Sequence, residues 1–100
     1  MKTFKTTTAD DLRKMIDYVK DKMTNTVVVL ASGADKAIFA AGVTKELTSK
    51  VKAGNLVKEA AVITGGNGGG RPDFAQAGGK DVTKIQEAMN AVKETLKNSL

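Results

Sequence analysis

Residues 27–43 read VVVLASGADKAIFAAGV, and the fold turns on how this stretch is divided. Val27, Val28, Val29 and Leu30 form an unbroken, mostly β-branched apolar run that is too short for a helix, the pattern of a strand buried on both faces. Ser32, Gly33, Ala34 and Asp35 carry turn chemistry, and a second apolar run over residues 37–43 follows at once. Together they predict an antiparallel hairpin at the centre of a sheet. Ala40, Ala41 and Gly42 are small enough to let another backbone or a ligand come close.

Outward from the hairpin the period changes to that of helices. On the N-terminal side Leu12, Met15, Ile16, Val19 and Met23 recur at helical spacing, with Arg13, Lys14, Asp17, Lys20 and Asp21 on the other face, predicting a helix from Thr8. Thr8 with Asp11 three positions on resembles a capping box, and Asp10 and Asp11 suit the positive end of the helix dipole. Residues 3–7, Thr-rich with one Phe, read as an edge strand.

On the C-terminal side, residues 44–52 read as a short helix or an extended basic connection. Gly54 and Asn55 punctuate the chain, after which Leu56, Val57, Ala60, Ala61 and Ile63 give a compact helix ending at glycines. Five glycines in the six positions 65–70 leave no regular element expected there. Residues 74–77 read as a short strand closed by Gly78 and Gly79. Asp81 is the expected N-cap of a last helix carrying Val82, Ile85, Met89, Val92 and Leu96, with Lys93 and Lys97 toward its negative end. The order predicts an α/β fold: a single compact domain with a mixed β-sheet of about four strands and helices packed on it.

Composition narrows the chemistry. The chain has no Cys and no His, which removes disulfides, thiolate nucleophiles, thiolate or imidazole metal sites and imidazole acid-base catalysis. No carboxylate pair stands out as acid and base, and Asp73 reads as a turn residue or an ion-pair partner of Arg71. A formal net charge of +5 favours a polyanionic partner. Without an apolar run of about 20 residues or a signal-peptide core, a cytoplasmic location is expected. Met1 directly before Lys2 and a Thr cluster suggests an excised domain with an added start residue.

The glycine run invites an anion: residues free to take positive φ can curl their N–H groups into a nest, with Arg71 and Lys80 beside it. Glycines serve tight turns and close backbone packing equally well, so the two readings stand side by side. The specific phosphate fingerprints fail. Gly79 and Lys80 are followed by Asp81 rather than Ser or Thr, and a dinucleotide pattern begun at Gly66 and Gly68 would need glycine where Arg71 stands. Lys45, Lys50, Lys52 and Lys58 fall within fourteen positions, either as a phosphate-backbone footprint or as a solvated face paired with Glu46 and Glu59. Phe4, Tyr18, Phe39 and Phe74 are too scattered for an aromatic base-stacking platform, so shape and backbone recognition is favoured over sequence readout.

Residues 66–79, GNGGGRPDFAQAGG, closely resemble the C-terminal (DHHA1-type) domain of bacterial alanyl-tRNA synthetases, as do residues 43–47, residues 53–61 and the closing helix. The resemblance spans nearly the whole chain and implies a non-catalytic C-terminal domain of an alanine-tRNA ligase, over residues 1–100, that contacts the outer corner of tRNA and helps aminoacylation and editing share it. It marks Gly68, Gly69, Gly70, Arg71 and Gln76 as the family surface, with Lys45, Lys50, Lys52, Lys58 and Lys80 as candidate backbone contacts. Phe74 stands where that family commonly has Met. The implied partners are tRNA and other domains of the same synthetase, with a homodimer left open. No cofactor is implied for this piece, while the parent enzyme would use ATP, Mg and Zn. Two alternatives remain, a structural or oligomerisation module, and an accessory domain of DHH-type phosphoesterases. In the latter His typically follows the glycine run, whereas Arg71 stands here.

Overall fold

A computed structural model describes residues 2–4, 9–33 and 36–99. The elements run β1 (Lys2–Phe4), α1 (Ala9–Lys22), β2 (Val27–Gly33), β3 (Ala37–Val43), α2 (Ala53–Ile63), β4 (Asn67–Gly70), β5 (Phe74–Gly79) and α3 (Ile85–Ser99). Short 3-10 turns over Lys45–Leu47 and Val82–Lys84 precede α2 and α3. The sheet has five strands in the order β1-β2-β3-β5-β4. β1 runs parallel to β2 and every other pairing is antiparallel, so the sheet is mixed, with one strand more than expected. The expected Thr8 cap, residues 5–7 of the first strand and the turn residues Ala34 and Asp35 lie outside the described residues.

The central hairpin forms as expected, with Val27 opposite Val43 and Gly33 opposite Ala37. Its run of apolar residues is continuous because helices cover both faces. Val29, Ala31, Phe39, Ala41 and Val43 point to one side, where α2 and α3 bring Leu56, Val57, Ala60, Ala88, Met89 and Val92. Leu30 and Ala40 point to the other, under Leu12 and Ile16 of α1. Phe39, Leu56, Val57 and Val92 are at most 2% exposed, and burying each contributes roughly 1.5–3 kcal/mol. Gly42 is small to admit α1, not a ligand, since a Cβ there would collide with the Ile16 side chain. On α1 only Leu12 and Ile16 of the expected apolar face are buried, while Met15 is 36% and Met23 52% exposed. Among the described residues this is the one helix on its side of the sheet, so its buried apolar contacts are confined to a central line.

Two expectations need correction, and one cause accounts for both. Residues 67–70 form a strand rather than an irregular loop, and α2 begins at Ala53, so Gly54 and Asn55 lie inside it. Glycine is a poor strand former and costs stability within a helix. Here it lets α2 sit directly on the sheet edge. A Cβ on Gly54 would lie 3.0 Å from the Gly70 carbonyl oxygen, while against the neighbouring strand β5 one on Gly68 would lie 2.6 Å from the Ala77 Cα and one on Gly70 2.7 Å from the Ala75 Cβ.

The far end of α2 closes as a Schellman cap. Gly65 takes φ +77°, its N–H donates to the Val62 carbonyl at 3.2 Å, and the Gly66 N–H donates to the Ala61 carbonyl at 2.7 Å. Thr64, fully buried beside the cap, donates its hydroxyl to the Ala60 and Ala61 carbonyls at 3.1 Å. Its own carbonyl accepts the N–H groups of Lys80 and Asp81 at 2.9 Å, tying β5 and the last helix to α2. Asp81 caps as expected, accepting the Thr83 N–H at 3.0 Å, although what it caps is the 3-10 turn leading into α3. Gly79 packs against Thr64 so closely that an added Cβ would come within 2.5 Å of the Thr64 Cβ. Gly79→Ala is expected to destabilise the fold by about 2 kcal/mol, read as a lower urea midpoint at unchanged slope.

Candidate nucleic-acid interface

The turn between β4 and β5 is closed by the Arg71 N–H donating to the Phe74 carbonyl at 3.0 Å, and three other elements hold it in place. The Pro72 carbonyl accepts the Ala53 N–H at 2.9 Å, satisfying one of the orphan donors at the start of α2. The Asp73 carbonyl accepts the Val43 N–H at 2.9 Å and the Lys20 ammonium at 3.0 Å. The ion-pair partner of the Asp73 carboxylate is Lys20, at 3.7 Å, and not Arg71 as one sequence reading allowed. Arg71 is thus displayed in solvent from a rigid turn, and among the described residues it makes no ion pair.

Lys45, Lys50 and Lys52 are exposed on the connection from β3 to α2. Because Ala53 bonds to Pro72 and Val43 to Asp73, this connection lies at the same end of the sheet as Arg71. Lys58 is exposed farther along α2. The acids interleaved with these lysines are occupied elsewhere. Glu46 accepts the Asn25 N–H at 3.1 Å, and Glu59 accepts the Thr95 hydroxyl at 2.8 Å. Among the described residues none of the four lysines is in an ion pair, so the paired-face reading does not hold.

The anion nest does not form. Among the described residues positive φ occurs at Asn25 and Gly65, so residues 66–70 do not curl. They extend along β5, with Gly68 opposite Ala77, Gly69 opposite Gln76 and Gly70 opposite Ala75. Gly68 is half-buried, and Gly69 and Gly70 are exposed on the sheet's edge strand. Gln76 lies on the α1 side of β5, two residues from Phe74. Lys80 is separated from the other cations, standing past the far end of β5 from Arg71. There the pairing of Ala37 with Gly79 brings it near Lys36, and both border a shallow depression. Sequence reading missed Lys36, and it missed Arg13, whose guanidinium lies 5.2 Å from the centre of the Phe74 ring. Both are visible only once the strand register is known.

A family profile described as the DHHA1 domain matches residues 1–98. The chain belongs to the DHHA1 domain family. Across 97 residues this DHHA1 domain is 57% identical to an alanine–tRNA ligase of Fusobacterium nucleatum, covering 97% of the chain and 11% of that protein. It is 60% identical over 93 residues to one of Alkaliphilus oremlandii, covering 91% of the chain and 11% of that protein. The chain therefore spans about a tenth of the length of these relatives. It also superposes on the C-Ala domain of Aquifex aeolicus alanyl-tRNA synthetase with a TM-score of 0.86 and 38% identity, over 94% of this chain and 86% of that one. The resemblance carried by residues 66–79 is borne out.

Among the described residues of this DHHA1 domain, no group of three acidic residues is placed to hold a metal ion, and no helix is long and apolar enough to cross a membrane. The Asn25 N–H, with the Thr44 hydroxyl second, holds the Glu46 carboxyl below its ordinary value of 4.5. A depressed folded-state value gives stability that is complete above the ordinary value and is lost as pH falls through the folded one. Glu46→Gln should therefore lower the urea midpoint at neutral pH, with the gap to wild type closing steadily below pH 4.5.

Proposed function

We propose that this chain is the C-terminal domain of an alanine-tRNA ligase and that it grips the outer corner of tRNA, helping aminoacylation and editing act on one tRNA. The observation that carries the reading is the set of exposed cations Arg71, Lys45, Lys50 and Lys52 at one end of the sheet, none of them in an ion pair among the described residues, with their neighbouring acids engaged elsewhere. Family membership supplies the partner class. Such a cluster recognises the spacing of phosphates rather than base identity. Lys58 extends the same surface along α2, while Lys80 belongs to its other end. ATP, Mg and Zn serve the parent ligase through domains outside this chain, with the enzyme acting in the cytoplasm.

An oligomerisation role would be favoured by an apolar stripe on the terminal helix. The outer face of α3 instead presents Asn90, Lys93, Glu94 and Lys97. In the phosphoesterase alternative, short oligonucleotide 5′-ends would bind in preference to tRNA.

Filter binding of folded tRNA across a salt series tests the reading. Affinity should fall linearly in log salt as counterions are released, and Arg71→Ala with Lys50→Ala and Lys52→Ala should reduce that slope by about 2. An unchanged slope would reject these residues as the phosphate contacts, and absence of tRNA binding at low ionic strength would reject the function for this chain.

A further inference from the structure

Of the asparagines in this chain, Asn67 alone is followed by glycine. For the others the fold engages the next backbone nitrogen. Asn55, Asn90 and Asn98 lie within α2 and α3, where the following N–H enters the helical ladder. The Thr26 N–H after Asn25 donates to the Thr44 hydroxyl at 2.9 Å. The Gly68 N–H instead donates to the Oδ1 of Asn67 itself, at 2.8 Å. Because Cγ is bonded to that oxygen at about 1.2 Å, the Gly68 nitrogen and the Asn67 amide carbon lie within about 4 Å of each other.

The position in the fold leaves this pair free to react. Strand β4 is four residues long and forms an edge of the sheet, where alternate N–H groups have no ladder partner. Asn67 is exposed and is the first residue of that strand, so the pairing to be released around it is the terminal one, with Gly78. Gly68 has no Cβ to shield its nitrogen.

We propose that Asn67–Gly68 is a self-modification site, at which the folded chain deamidates and isomerises its own backbone without an enzyme. The Gly68 amide nitrogen, its proton taken by solvent hydroxide, attacks the Asn67 Cγ. A new N–C bond closes a five-membered succinimide, and the bond from Cγ to the side-chain nitrogen breaks, with ammonia leaving on a proton drawn from water. Water then opens the ring. Attack at Cγ gives aspartate, while attack at the main-chain carbonyl carbon gives isoaspartate, in which the chain continues through the former side chain and the freed carboxylate stands beside it. Ring closure requires the Asn67 ψ to leave the extended range, and the end of an edge strand opens at low cost.

Both products alter the surroundings. Asn67 borders one depression together with Lys36 and Lys80, so the new carboxylate appears beside two lysines and lowers the formal net charge of +5 by one. Isoaspartate also adds a main-chain carbon ahead of Gly68, which disturbs the register of β4 on β5.

The test incubates the 100-residue chain in mildly alkaline buffer, folded in one sample and unfolded by guanidinium chloride in another, and follows both by cation exchange and peptide mapping. A species one charge more acidic should accumulate in the folded sample at a rate within about tenfold of the unfolded one, as opening of an edge-strand end allows. Its residue 67 should be a mixture of aspartate and isoaspartate, the mark of a shared cyclic intermediate. Asn67→Gln keeps an exposed amide but moves its carbon one methylene farther along, so the acidic species should be missing while the urea midpoint stays that of wild type. Conversion of the folded sample below that range, aspartate at residue 67 without isoaspartate, or an acidic species that persists in Asn67→Gln each overturns the proposal.

Discussion

Helix α2 meets glycine backbone at both of its ends. At its start Gly54 faces the Gly70 carbonyl with no side chain between them, and just past its end the Thr64 side chain packs directly on Gly79. This close seating requires glycines on both partners, and it makes a poor strand sequence into β4, because the strand gains the helix above it as well as the ladder beside it. It also sets the turn after β4 against the first turn of α2, where the Pro72 carbonyl takes up the Ala53 N–H. The conformational cost of so many glycines is offset by packing that no larger residue would permit.

That seating governs the electrostatics as well. Bonds from Ala53, Val43 and Lys20 hold the turn's backbone, and Arg71 projects from it as an exposed cation. The connection carrying Lys45, Lys50 and Lys52 is drawn to the same end because both of its boundaries are bonded to the turn. Glu46 and Glu59, which could have neutralised those lysines, are spent on local structure: one secures the Asn25 loop and the other bridges α2 to α3 through Thr95. The positive end of the domain follows from where its acids are committed more than from its count of lysines.

The two faces of the sheet are treated unequally. One is fully covered by α2 and α3, and its core holds the largest buried side chains. Among the described residues the other has α1 alone, which seals β2 and β3 with Leu12 and Ile16 and reaches Phe74 of β5. An antiparallel region can bear a solvated face, and Asn67, Gly69 and Gly78 are exposed there.

Local pattern sufficed for the elements whose stability is local or amphipathic: the central hairpin, the three helices, the Asp81 cap and the mixed α/β class. It also sufficed for the family, since the order of residues 66–79 is itself distinctive. The strand at residues 67–70 and the early start of α2 were beyond it, because glycine carries no signal for either state and both depend on a neighbour distant in the chain. The same holds for the site. Arg71, Lys45, Lys50 and Lys52 could be named from charge and resemblance, but their shared end and the placement of Lys80 beside Lys36 come from strand register and contact. Sequence specifies which groups are available, while only packing decides which of them share a surface and which are used up within the fold.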